Sequence, residues 1–254
     1  MCFDIDSQPP IRPVAGGALD HADLVLTGAD GNRFAAFRAR ASKPSGAGIV
    51  ILPDVRGLYS FYEELALRFA EAGIDALAID YFGRTAGAAK RDVDFSYMEH
   101  VQQTRLPELR ADVTAAAEEL RRDGRVKATF TIGFCFGGRL SYSSATFGLD
   151  LAGSIAFYGI PVGDRPGYPA PATVAPAMAC PILGLFGGAD AAIPPEAVAE
   201  FEAALVAAGV EHDLVTYPGA PHSFFDRKAA EYGDASADSW TRSLAFIGAH
   251  TPAA

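Results

Sequence analysis

Three side chains in this 254-residue sequence have the types and the order needed for acyl transfer: Cys135, Asp190 and His222. A thiolate can attack a carbonyl carbon, an imidazole can manage the proton, and a carboxylate can hold the imidazole in one tautomer. Cys135 lies in Gly133-Phe134-Cys135-Phe136-Gly137-Gly138, with small residues on both sides. A reactive side chain displayed on a tight strand-to-helix turn needs such neighbours, because the turn forces its backbone into a strained conformation. A thiol at the start of a helix also sits by the positive end of the dipole, which favours thiolate.

Two other readings of the hexapeptide compete. A free cysteine between two phenylalanines is often plain core. A glycine cluster after a strand can also be a dinucleotide-binding loop. Here Cys135 occupies the place of the middle glycine and would block a pyrophosphate. The first parallel strand, moreover, is followed by Pro53-Asp54-Val55-Arg56-Gly57 rather than by a glycine-rich turn.

A Cys-Asp-His constellation needs elements that bring three distant residues to one edge of a sheet. The apolar run 48–52 reads as a strand buried on both faces, and 74–79, 128–132, 153–158, 181–186 and 212–217 read likewise as strands. Between them, 61–72, 106–122, 139–147, 195–208 and 236–249 read as helices, with Gly73 and Gly209 ending two of them. Two short strands, 23–27 and 33–40, flank a Gly-Ala-Asp-Gly turn and form an antiparallel hairpin. Residues 82–99 read as an excursion from the sheet and 159–179 as a proline-rich loop. The prediction is α/β: a mostly parallel sheet with helices on both faces, an irregular lead-in over 1–20 and one domain over 21–254. Asp190 and His222 then fall on loops just beyond strand ends, in the order nucleophile, acid, histidine. His21, His100, His212 and His250 fit a base less well and read as surface residues.

Bulk properties narrow the field. Half of the residues are hydrophobic, enough for a core, and the net charge of −10 argues against nucleic acid or an anionic membrane as partner. Three cysteines make no disulfide framework, the first residues lack a signal-peptide pattern, and no apolar run is long enough to span a bilayer. A cytoplasmic monomer or small homo-oligomer is expected. No Cys/His spacing suggests zinc, and neither a metal nor an organic cofactor is expected.

The hexapeptide, Asp190 in Gly187-Gly188-Ala189-Asp190, His222-Ser223-Phe224, the segment 49–57 and Asp80-Tyr81-Phe82-Gly83 together resemble the dienelactone hydrolases, cysteine-nucleophile members of the α/β-hydrolase fold. The resemblance implies a carboxymethylenebutenolidase-like hydrolase of esters or lactones, acting through a thioester acyl-enzyme. It implies an oxyanion hole from the amides of Val55 and Phe136, and an auxiliary acid touching the resting thiol at Asp54, where family members usually carry Glu. It also implies an arginine shortly after the histidine that binds a substrate carboxylate. Asp226 stands there, with Arg227 one step later. Arg84, Arg91 and Arg227 are the candidate carboxylate partners, and weak preference for an anionic lactone over neutral esters is expected. Tyr81 and Phe224 are further candidate substrate contacts, within an aromatic set (Tyr59, Phe82, Phe134, Phe136, Phe225) that core packing would explain equally. The alternative function is a binding or thiol redox-sensing protein on the same fold, with Cys180 as the one candidate resolving cysteine.

Overall fold

The computed structural model describes residues 7–14, 18–91, 94–165, 167–226 and 228–253. Its strands are β1 (Ala18–Thr27), β2 (Arg33–Ala41), β3 (Ala47–Leu52), β4 (Asp75–Ile79), β5 (Ala128–Phe134), β6 (Gly153–Phe157), β7 (Ile182–Gly187) and β8 (His212–Tyr217). They form one sheet in the order β1-β2-β4-β3-β5-β6-β7-β8. The β1–β2 and β2–β4 pairs are antiparallel and every later pair is parallel. The helices are α1 (Ser60–Glu71), α2 (Gly83–Ala86), α3 (Tyr97–Val101), α4 (Leu106–Arg121), α5 (Phe136–Ser144), α6 (Pro171–Val174), α7 (Pro195–Ala208) and α8 (Gly233–Ala249).

The continuous apolar runs are buried on both faces, as a parallel strand between two helical layers requires. Ile49 and Ile51 of β3, with Ala76 and Ala78 of β4, pack in the layer of α1 beside Phe61, Leu65 and Phe69. Val50, Leu52, Leu77 and Ile79 point the other way, into the layer of α4 beside Leu109, Val113 and Leu120. Side chains alternate across a strand, so one run of apolar residues serves two cores.

The chain leaves β3 for β4 on one side and returns to β5 on the other, so the strand order reverses between β3 and β5. In open α/β sheets, ligands bind outside the carboxyl ends of strands at such a reversal. The segments that meet there are the 53–57 loop after β3 and the hexapeptide after β5.

Several features differ from the sequence expectation. β1 begins at Ala18, inside the expected lead-in, and pairs along its length with β2, with a register irregularity between Ala18 and Asp20. As an edge strand it carries exposed polar residues, so apolar patterning underreports its length. α5 starts at Phe136, three residues early, although Gly137 and Gly138 are poor helix formers. Close packing decides there: a Cβ on Gly137 would lie 2.0 Å from the Leu52 carbonyl oxygen. Finally, the 82–99 excursion holds α2 and the start of α3. It is pinned by Arg91, which donates to Asp80 Oδ2 at 2.6 Å and to the carbonyls of Ala86 and Gly87.

Candidate active site

The Cys135 backbone has φ 55° and ψ −109° and caps α5, a left-handed conformation rare for a residue with a Cβ. Such strain costs about 1–3 kcal/mol and persists only where the surroundings enforce it. Two features enforce it here. The Cys135 amide donates to the Phe157 carbonyl at 3.0 Å, tying the elbow to β6. Gly133 lets the first turn of α5 fold back on β5, since a Cβ there would lie 1.8 Å from the Gly137 oxygen. Cys135 is partly exposed and is a free thiol.

Asp190 and His222 meet beyond the ends of β7 and β8. The His222 Nδ1 lies 2.6 Å from Asp190 Oδ2, and Asp190 Oδ1 accepts the Ala192 amide at 2.9 Å. The carboxylate side chain is 1% exposed and the imidazole 28%. The carboxylate is thus fixed by the protein while the imidazole keeps an open side. The Tyr158 ring packs 4.9 Å from the imidazole, and its hydroxyl donates to Asp226 Oδ2 at 2.7 Å. Asp226, at the place where the resemblance implied a carboxylate-binding arginine, is therefore buried and hydrogen-bonded. Arg227 lies outside the described residues.

Cys135 opens on a cavity of about 210 Å³. Val55 of the loop after β3 and Phe136 of the elbow line it with Cys135. Among the described residues neither the Val55 nor the Phe136 amide has a hydrogen-bond partner. Asp54 is fully buried beside them, its Oδ1 accepting the Arg56 amide at 2.8 Å and its amide donating to the Tyr62 hydroxyl at 2.9 Å. The loop is braced from below: Asp80 Oδ1 accepts the Leu58 amide, and the Tyr81 hydroxyl donates to the Pro53 carbonyl at 2.8 Å. Burial, then the nearby Tyr168, Asp54, Asp80 and Cys135, pushes the Tyr81 pKa up, so it remains a neutral donor.

The opposite wall was not visible in the sequence. Met98, Val101 and Gln102 come from α3 and its end, Ile160 and Arg165 from the loop after β6, and Arg139 from α5. Arg139 stands one helical turn after Cys135, a spacing that could have pointed to it. Its buried guanidinium donates to the carbonyls of Ile160, Val162, Gly163 and Tyr168 and lies over the Tyr168 ring at 5.1 Å.

Several expected substrate contacts are committed elsewhere. Arg84 is ion-paired to Asp30 and Asp112, at 2.5 and 2.6 Å, because Asp112 is buried and needs a counter-charge. Arg91 is paired with Asp80, both nearly inaccessible, and lies over Phe95 at 4.8 Å. Tyr81 supports the 53–57 loop through the Pro53 carbonyl. Phe224 is fully buried against Tyr158 and Tyr217. Tyr59, Phe82, Phe134 and Phe225 are core, and of the aromatic set Phe136 lines the cavity. His100, expected at the surface, stacks on Phe95 at 4.7 Å. His212 and His250 bond locally through Nδ1 to the Val210 and Phe246 carbonyls. Cys180 is buried, which pushes its thiol up to about 12. Among the described residues no cluster of His, Cys, Asp or Glu could hold a metal ion, and no helix is long and apolar enough to cross a membrane.

Comparison with known proteins places this geometry in a family. A Yersinia pestis protein named as a candidate carboxymethylenebutenolidase is 27% identical over 240 residues, covering 91% of this chain and 89% of its own. One of the same name from Salmonella typhimurium is 29% identical over 249 residues, covering 94% and 91%. The crystal structure of a candidate dienelactone hydrolase from Klebsiella pneumoniae superposes with a TM-score of 0.78 at 28% identity, over 90% of this chain and 98% of that one. The dienelactone hydrolase family pattern itself matches residues 34–251, from β2 through the end of α8. On that match, spanning the elbow, the Asp190–His222 pair and both loops of the cavity, the chain belongs to the dienelactone hydrolase family.

Proposed function

We propose that this protein hydrolyses small carboxylic esters or lactones with Cys135 as nucleophile, His222 as base and Asp190 as the acid that orients it. His222 takes the proton of the Cys135 thiol, the thiolate attacks the carbonyl carbon, and the carbonyl oxygen gains the negative charge as its π bond opens. The Val55 and Phe136 amides hold that oxyanion; loss of one such donor typically costs about 10²–10³ in rate. Collapse breaks the carbon–oxygen bond, and protonated His222 gives its proton to the leaving alkoxide, which in a lactone stays attached to the acyl part. A thioester remains on Cys135. His222 then takes a proton from water, the hydroxyl adds to the thioester carbon, and the thiolate leaves with the acid released. Asp54 is assigned to hold the resting thiol between turnovers.

The observation that carries the reading is the 2.6 Å Asp190–His222 hydrogen bond beyond the sheet edge that presents Cys135 on its strained elbow. Two amides beside Cys135 without a partner among the described residues support it, as do the family match and the names of the relatives. A cavity of about 210 Å³, walled by Val55, Met98, Val101, Phe136 and Ile160, suits a short substrate with an apolar face. The redox-sensing alternative loses its resolving cysteine, since buried Cys180 holds its proton far above neutral pH. The test is turnover of an aryl acetate and a dienelactone by purified protein and by Cys135→Ala. Hydrolysis of either, lost in the variant, supports the proposal, and undiminished hydrolysis in Cys135→Ala refutes it.

A further inference from the structure

Two guanidinium groups line the same cavity as Cys135, and among the described residues no carboxylate lines it. Their states differ. Arg139 is 4% exposed and holds the 160–168 loop by its four carbonyl bonds, yet its Nε–H has no partner. Arg165 is exposed and, among the described residues, its guanidinium has no ion pair or hydrogen bond. Its backbone, by contrast, is fixed. Arg165 and Tyr168 exchange both amide-to-carbonyl bonds, at 3.0 and 2.8 Å, above the Tyr168 ring that Arg139 covers. The neighbouring carboxylate, Asp164, is turned away, its Oδ1 accepting from the Ala170 amide at 2.7 Å and the Thr173 hydroxyl at 3.2 Å. An uncommitted guanidinium on an anchored loop, in a cavity whose described lining holds no acid, is a site for an anion.

We infer that Arg165 is a specificity-determining residue that binds an anionic group, a carboxylate in the first instance, on the ester or lactone presented to Cys135. Arg139 holds the loop that carries it. This rests on the proposed role of Cys135. It also replaces the expectation of weak anion preference, which considered only Arg84, Arg91 and Arg227. Arg84 and Arg91 are occupied by buried carboxylates, and Asp226 makes the histidine loop unfavourable for an anion. The anion is thereby received from the wall built by α5 and the loop after β6.

The test uses matched 4-nitrophenyl esters, one ending in a carboxylate and one of equal length ending in a methyl group. Replacing a charge-assisted contact with nothing is worth roughly ten- to a hundredfold. In Arg165→Ala, the ratio of kcat/KM for the anionic ester to that for the neutral ester should fall by that factor. Arg165→Lys should recover part of the loss, because the charge returns without the bidentate fork. A second measurement needs no ester turnover: the rate at which iodoacetate alkylates Cys135, divided by the rate for iodoacetamide. That ratio should fall severalfold in Arg165→Ala and be retained in Arg165→Lys. If Arg165→Ala changes neither the ester ratio nor the alkylation ratio, or lowers both esters equally, the inference is overturned. If wild type turns over neither ester while the alkylation ratio still depends on Arg165, the cationic site stands and the hydrolase reading falls.

Discussion

At Cys135 the left-handed backbone, the helix start and a share of the cavity wall coincide on one thiol, whereas Cys180 has burial alone. Thiolate is the reactive form, and a thiol pushed up to about 12 carries almost none near neutral pH. Iodoacetamide near pH 7.5 should therefore label Cys135 and leave Cys180 unmodified, with activity lost in step, as peptide mapping would reveal. Full labelling of Cys135 with undiminished ester hydrolysis would exclude it as the nucleophile. The proposed triad makes a second claim at this scale. Cys135→Ala, His222→Ala and the double variant should lose similar factors in kcat, because groups acting as one unit are far from additive. Asp190→Asn should lose less than either, since in the proposed scheme Asp190 orients the imidazole and does not react. Multiplying losses in the double variant would mean that the two residues work separately.

The elements around the site work by close approach and by buried charge. Gly137 lets α5 lie on the end of β3; Gly137→Ala places a methyl 2.0 Å from the Leu52 oxygen and 2.3 Å from that of Pro53, against backbone that cannot give. Overpacking of this kind costs about 1–3 kcal/mol or more, and urea melts of Gly137→Ala should show it together with reduced turnover. Wild-type stability and rate would contradict the elbow geometry. Arg91→Ala should cost about 3–5 kcal/mol in the same assay, because it leaves Asp80 buried without its cation. An unchanged melt would mean that Asp80 does not depend on that pair. These elements also mark where the sequence was legible. The runs 48–52 and 128–132 and the segment 212–217 announced their strands by composition, and the glycines around Cys135 announced the elbow by spacing. The cavity's far wall did not announce itself. α3 spans one helical turn and a little more, too short for a period to register, and Arg165 sits in an irregular loop whose position depends on four carbonyls reaching Arg139. Arg84 and Arg91 misled for a related reason: whether an arginine faces a substrate or a buried aspartate is decided by tertiary partners far away in sequence.

Across the whole molecule, the reversal of strand order between β3 and β5 brings the Val55 loop to the elbow, and the ends of β7 and β8 bring Asp190 to His222. One sheet edge thus collects residues from four separate loops, which is how this architecture supports acyl transfer without a cofactor in the proposed scheme. A net charge of −10 surrounds a cavity whose charged lining is cationic, so recognition of an anionic substrate would be a local property set against the global field. The central claim is that the ester carbonyl becomes bonded to the sulfur of Cys135. Its most direct measurement is to mix the protein with 4-nitrophenyl acetate, quench with acid within the first turnovers and map the acetyl group by peptide mass spectrometry. The account predicts an acetyl thioester on the peptide containing Cys135, removed by hydroxylamine and absent in Cys135→Ala. Acetyl found on another residue of an active enzyme, with none on Cys135, would contradict it.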